Sequence, residues 1–272
     1  MKIVRFLSDN SEPKYGLVRD DLIYSLIGSI TGSFSEGELV GPLKLYKLLA
    51  PCEPTKVICA AVNFPGTSHF DTNMEEPLFF VKPKSSVTGT DTEVKNPFPG
   101  KRWWGEAELG FVIKKQMKNI SEENVKDYVL GVTIGNDITV DNCDSRDHHL
   151  LRSKGADNFC PIGPWIETEF THNSWEIEAV QNGKVIRRGN TSNHYWQWSK
   201  ILSRLSEWIT LEPLDVVLTG NPPSVSPDKF IDGPCEFIAK IENIGELRTF
   251  FIWLAILKIT IGGNNIGNIN KN

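Results

Sequence analysis

Glu106 and Glu108 stand one residue apart in Gly105-Glu106-Ala107-Glu108-Leu109-Gly110. In a strand, residues two apart project from the same face. Two carboxylates held side by side repel unless water or a cation separates them. A hard divalent ion such as Mg²⁺ prefers oxygen ligands and keeps open positions that a substrate can fill. The same alternation also describes the wet side of an ordinary strand. A third acid, Asp137, lies in Ile134-Gly135-Asn136-Asp137-Ile138. Buried in such a β-branched run, it needs a metal or a lysine as partner; alternatively, Asn136-Asp137 is turn chemistry. Lys154 opens a stretch rich in Gly and Pro, Ser153 to Trp165, that reads as a loop of specific shape, from which a lysine reaches either a cavity or solvent.

These residues need a scaffold, and the pattern around them is rich in strands. Lys2–Phe6, Tyr15–Val18 and Leu22–Leu26 read as strands of a small leading unit, followed by a short helix over Pro42–Leu49 and a linker from Pro51 to Thr55. Beyond it, Lys56–Ala60, Leu78–Lys82, Glu106–Ile113, Val129–Ile138, Asp215–Thr219 and Glu236–Ile241 are strand candidates. Trp175–Val180 and Lys184–Arg188 flank Asn182-Gly183, a two-residue hairpin signal. Apolar residues at helical spacing, Trp198 through Ile209, give one clear helix between Ser192 and Ile209, capped by Thr191 or Ser192. A shorter helix begins after Ser121, with Glu122 and Glu123 in its first turn. Leu218 to Pro222 reads as a strand running into a loop, and Glu242 to Arg248 as a turn. The expected fold class is mostly β with some α (α+β). The expected division is residues 1–53, 54–252 and a divergent tail 253–272.

Composition narrows the function. The chain has 272 residues, a net charge of −5 and 23% charged residues. Phosphate recognition needs a basic face, so a nucleic-acid partner is not expected. Charges interrupt the first residues, Met1 to Asp9, and the longest apolar run, Phe250–Leu257, is far short of a membrane span. Neither a signal peptide nor a membrane partner is expected. Five cysteines without a C-x-x-C suit reduced thiols in a cytoplasmic protein.

Taken in order, these segments resemble the fumarylacetoacetate hydrolase family. The matching stretches are Asn63-Phe64, Phe79-Phe80-Val81-Lys82-Pro83, Glu106-x-Glu108, Gly135-Asn136-Asp137, and Lys154 with Phe159-Cys160-Pro161-x-Gly163-Pro164-Trp165. They continue with Asn182-Gly183, Gly189-Asn190-Thr191, Leu211-Glu212-Pro213-x-Asp215-Val216-Val217-x-Thr219-Gly220 and Ile244-Gly245-x-Leu247-Arg248. The resemblance implies a mixed β-sandwich or β-roll catalytic domain behind a small N-terminal domain, and a homodimer. It implies Mg²⁺ or Mn²⁺ held by Glu106, Glu108 and Asp137. It implies a small 2-oxo acid as substrate, of the acylpyruvate or hydroxy-dienedioate type, worked on through a metal-stabilised enolate. The outcome is C–C bond hydrolysis, decarboxylation or isomerisation. Lys154 matches the lysine that contacts substrate, and Asn63, Lys82, Gly220 and Asn221 are expected at the substrate.

Several positions depart from the family pattern. A histidine is usual four residues after the Asn63 position, with a glutamate three further on, as the base that activates water. Here the histidine's place holds Thr67. His69 stands two residues late and is the displaced candidate for the base; three beyond it is Thr72, so Asp71 or Glu75 would be its orienting acid. An arginine is usual four residues after the metal aspartate, where this chain has Asp141; Arg146 is the candidate to reach that space. His148-His149 reads as a second metal feature or as an exposed pair. Asn221 replaces a threonine, and Leu214 replaces a turn glycine, a change expected to alter turn geometry. The metal part is therefore intact and the substrate part altered. That combination admits a second reading: a catalytically altered member that binds metal and a dicarboxylate without turnover.

Overall fold

The computed structural model describes residues 1–141, 146–147, 150–171 and 174–252. His148-His149 and the tail from 253 onward lie outside these residues.

Four strands lead the chain: β1 (Lys2–Leu7), β2 (Pro13–Arg19), β3 (Leu22–Gly28) and β4 (Phe34–Pro42). The helix expected over 42–49 is only a 3-10 turn at Leu43–Leu45, because the chain straightens to pair Leu48 with Phe6. β5 (Val57–Ala61) and β6 (Leu78–Lys82) flank a long loop. Short strands β7 (Val87–Thr88), β8 (Thr92–Lys95) and β9 (Trp103–Trp104) lead into β10 (Ala107–Ile113) and β11 (Val129–Asn136). The helix expected after Ser121 is a 3-10 helix, Glu122–Tyr128. β12 (Thr139–Val140), the one-turn α1 (Leu151–Lys154) and β13 (Cys160–Glu167) follow, so the stretch read as a loop after Lys154 becomes a buried strand. Then come β14 (Glu176–Gln181), β15 (Lys184–Asn190), α2 (Trp198–Trp208), β16 (Val216–Leu218), β17 (Cys235–Ile241) and β18 (Gly245–Ile252).

The fold is mostly β with few helices, as the alternating patterns require. One large sheet runs β4-β3-β2-β1-β13-β11-β10-β16-β5-β6, and a second runs β15-β14-β17-β18-β8. The leading strands join the large sheet through β1 against β13, so the N-terminal unit is continuous with the main sheet. β10 and β11 are buried on both faces, and their apolar residues fill the main core between the sheets with Phe237, Leu247 and Phe251. Trp103 is fully buried against Phe159 and Phe251 and anchors the chain just before Glu106. Asp215 is buried and collects Thr55 N–H, Thr55 Oγ1, Lys56 N–H and Glu212 N–H, together with the Lys56 ammonium, tying β16 to the start of β5. Leu214 keeps the left-handed backbone a glycine would supply, with φ of 73°, so the turn geometry is retained rather than altered. Among the described residues, no helix is long and apolar enough to cross a membrane.

Candidate metal centre and its cavity

Glu106 precedes β10 and Glu108 lies within it, two residues on and on the same face. β11 pairs beside β10, Ala107 opposite Asn136, which brings Asp137 alongside. The junction is locked by hydrogen bonds: Asn136 Oδ1 accepts from Glu106 N–H at 3.0 Å, and Asp137 N–H donates to Glu106 O at 2.9 Å. One oxygen from each of Glu106, Glu108 and Asp137 lies within 4.8 Å of the others. A cation with ligand distances of about 2.0–2.6 Å reaches all three from a point between them.

The electrostatics around the triad are polarised. Burial pushes the Glu106 carboxyl up, but Lys154, Arg187 and hydrogen bonds from Trp104 and Lys154 outweigh it and bring it to about 2. Burial, and then the charges of Asp137 and Glu106, push Glu108 well above the usual carboxylate range. The Gly220 N–H, 2.7 Å from Glu108 Oε2, offsets only part of that. Gly220 holds φ of 95°, the conformation that turns its N–H onto the carboxylate, and a Cβ there would meet Asn63 Cβ at 3.0 Å. Lys154 Nζ lies 2.5 Å from Asp137 Oδ2 and 3.1 Å from Glu106 Oε2. Burial opposes its charge, but Asp137 and Glu106 prevail and raise its pKa. Asp137 Oδ1 is buried without a hydrogen bond, although Lys82 Nζ stands 2.5 Å away. An all-oxygen set of three converging carboxylates, one of them kept from ionising by its neighbours, fits a hard divalent cation.

The triad opens into a polar cavity of about 250 Å³. Its walls include Asn63, Thr67, Ser68, Phe80, Trp104, Lys154, Arg187, Gly220, Asn221 and Lys229. Of the residues expected at the substrate, Lys154, Asn63, Gly220 and Asn221 line it. Asn63 spends its amide on backbone, donating to Trp196 O and Thr219 O and accepting from Trp196 N–H, so it braces the wall. Lys82 does not line the cavity: fully buried beside Asp137, it donates to Ile138 O and Lys154 O and so supports the site from within the protein. Arg146 is exposed and does not line the cavity. Asp141 pairs with Arg102 Nε at 2.7 Å.

His69 is exposed in the loop between β5 and β6 and does not line the cavity, while its neighbours Thr67 and Ser68 do. Asp71, one of its expected orienting acids, accepts from the Asn73 N–H and side-chain amide. The loop is held by Tyr195, whose hydroxyl donates to Thr72 O and whose ring meets Phe70 edge-on.

Arg187 was not legible as a site residue. In β15, Arg187 pairs with Ala179 and Val185 with Val180, leaving Ile186 as an extra residue. This bulge breaks the alternation, so Ile186 and Arg187 are both buried, whereas strict period two would turn one of them outward. Trp104, two residues before Glu106, donates its indole N–H to Glu106 Oε1 at 2.6 Å.

Comparison with known proteins agrees with this architecture. Residues 56–251 match the family model described as fumarylacetoacetate (FAA) hydrolase C-terminal, and residues 1–51 match one described as Rv2993c-like, N-terminal. The rat protein oxaloacetate tautomerase Fahd2a, mitochondrial, is 31% identical over 217 residues, covering 75% of this chain and 69% of that protein. The solved structure of 2-hydroxyhepta-2,4-diene-1,7-dioate isomerase from Mycobacterium marinum superposes with a TM-score of 0.83 at 28% identity, covering 93% of this chain and 98% of that one. Maleylpyruvate hydrolase from Sphingobium sp., solved with manganese(II) and pyruvate, shares the fold with a TM-score of 0.74 at 24% identity, covering 93% and 99% of the two chains. With the family model spanning nearly all of the chain beyond its leading unit, and with the acidic triad at the junction of β10 and β11, this protein belongs to the fumarylacetoacetate hydrolase family.

Proposed function

We propose that this protein is a divalent-metal-dependent enzyme of small 2-oxo acids that isomerises or decarboxylates beside the oxo group rather than hydrolysing a C–C bond. The observation that carries this reading is the make-up of the cavity wall. Among the described residues, its only carboxylates are the triad itself, and no histidine lines it. Activation of water for attack needs a base within hydrogen-bond reach, and the wall offers none beyond the triad; decarboxylation needs no such base, and in isomerisation the proton acidified by chelation of the 2-oxo acid would pass to and from solvent water.

When bound, Mg²⁺ or Mn²⁺ supplies Lewis acidity toward a chelating 2-oxo carboxylate and favours its enolate. The remaining roles fall to the protein. Lys154 Nζ, held charged by Asp137 and Glu106, donates hydrogen bonds to an anionic oxygen and does not serve as a base. Trp104 and Lys154 fix the Glu106 carboxylate, and the Gly220 N–H fixes Glu108. Thr67 and Ser68 bring the edge of the loop to the cavity mouth. At about 250 Å³, the cavity is smaller than the roughly 300–1,000 Å³ of typical ligand pockets and suits a short acid.

The test is a panel of oxaloacetate and acylpyruvates with Mg²⁺ or Mn²⁺, in the parent and in His69→Ala. The expected result is enol–keto conversion or pyruvate release from oxaloacetate above the metal-only rate, with His69→Ala within about threefold of the parent. Acylpyruvate cleavage that disappears in His69→Ala would replace this reading with hydrolysis by a loop base. The lack of a base also suits the non-catalytic reading, which prevails if oxalate binds with metal while nothing on the panel turns over.

A further inference from the structure

Arg187 is a buried cation on the cavity wall that no carboxylate holds. It is 6% exposed. Its Nη1 donates to Pro222 O at 3.0 Å, and its Nε–H is buried without a partner. Among the described residues it makes no ion pair, although Glu106 and Glu108 line the same cavity. Asn221 Oδ1, on the same wall, is likewise buried and unmatched. Buried polar groups without partners are few in folded proteins and point to a missing ligand or water. Two of them on residues that line one cavity point to one occupant.

The backbone pre-positions this pair. Arg187 bridges to Ser224, and Val225 N–H donates to Ile186 O at 2.9 Å, so the bulged strand carrying Arg187 is stitched to the loop that carries Asn221. The guanidinium is thereby offered as a fixed fork, the geometry that matches a carboxylate.

Charge sets the nature of the occupant. Among the buried groups of the site, Glu106, Glu108 and Asp137 bring three negative charges in the metal-bound state and Lys82, Lys154 and Arg187 three positive ones, while the half-exposed Lys229 on the wall is screened by solvent. A divalent ion then leaves an excess of two positive charges, which a dianion balances. Without Arg187 the excess is one, the charge of a 2-oxo monoacid.

We propose that Arg187 is a specificity-determining residue that binds a second carboxylate, so that the site selects 2-oxo diacids over monoacids of equal length. Asn221 flanks the same carboxylate, presenting its N–H₂ after a half-turn of the amide. The inference rests on the reading of the cavity as a metal-dependent 2-oxo acid site.

The experiment is calorimetric binding to the Mg²⁺-loaded protein, in the parent, Arg187→Gln and Arg187→Lys. The probes are the matched pairs oxaloacetate with 2-oxobutyrate and 2-oxoglutarate with 2-oxopentanoate. Oxalate, which needs only the metal, reports on the integrity of the centre in each variant. The expected result is a preference for the diacid of about tenfold or more in the parent, falling to about twofold or less in Arg187→Gln and partly restored by lysine. A parent without preference, or a preference that survives Arg187→Gln, overturns the assignment of Arg187. Equal weakening of both members of a pair while oxalate still binds also overturns it. If oxalate binding is lost in Arg187→Gln, Arg187→Lys decides: a preference there as large as the parent's overturns the proposal, and a reduced one supports it. Failure of the parent to bind oxalate or any 2-oxo acid overturns the underlying reading instead.

Discussion

The ammonium of Lys154 lies 2.5 Å from Asp137 Oδ2, and Lys82 approaches the other oxygen of the same carboxylate to 2.5 Å. Asp137 is thus clamped between two buried lysines, one on the cavity wall and one beneath it. With Glu106, which also meets Lys154 at 3.1 Å, it balances the two lysines before any metal is present.

Replacing that carboxylate takes from Lys82 its one ion-pair partner among the described residues and leaves Lys154 with Glu106 alone. Asp137→Asn is expected to lower unfolding free energy by about 3–5 kcal/mol in metal-free protein. Combining it with Lys82→Met should recover part of the loss, because one stranded charge is removed with it. Denaturant unfolding of the single and double variants measures this. A double variant no more stable than Asp137→Asn would show that Lys82 does not depend on Asp137.

His194 gives the stability a pH dependence. It is buried against Phe64, and burial pushes its pKa from 6.5 down to about 3. The unfolded chain therefore binds a proton that the folded chain refuses between these values. The contribution is complete above about pH 6.5 and is lost as pH falls toward 3. From pH 7 to 5.5 the parent should lose about 1 kcal/mol more than His194→Met. Equal losses in the two proteins, measured by urea unfolding, would contradict the burial of a neutral imidazole.

Asp215 is expected to matter for stability and not for the metal. Its carboxylate is fully buried, gathers the Thr55, Lys56 and Glu212 donors, and does not line the cavity. Asp215→Ala should cost about 3–5 kcal/mol. Calorimetric Mn²⁺ affinity, measured below the melting transition, should stay within about threefold of the parent.

What is legible in the sequence is what obeys a simple period. Glu106 and Glu108 two apart, and Asp137 at the end of an apolar strand, come together because β10 and β11 are regular there. The period is also present in β18, where Leu247, Thr249 and Phe251 point inward, but the charged Glu246 and Arg248 make the segment read as a turn. The helix starts later than its capping signal for a local reason. Asn190 does accept from Ser192 N–H, but it caps a 3-10 turn, and the chain runs on through His194 to Gln197 before α2 begins. Arg187 is hidden by the bulge at Ile186, which no alternation rule reveals. Lys82 belongs near the site as expected but serves it from below, a distinction that depends on which side of β6 the cavity opens.

The proposed chemistry requires that Glu106, Glu108 and Asp137 hold a divalent ion that presents open positions to a planar 2-oxo ligand. The most direct measurement is thermal unfolding with Mg²⁺, with oxalate and with both, in the parent and in Glu106→Gln. Oxalate resembles the planar enolate of a 2-oxo acid. At about a hundred times its dissociation constant it should stabilise the parent by roughly 2.7 kcal/mol. The expected result is a rise in melting temperature that requires metal and oxalate together and vanishes in Glu106→Gln. A parent that shows no joint effect, or a Glu106→Gln variant that keeps it in full, would contradict a metal centre at this triad.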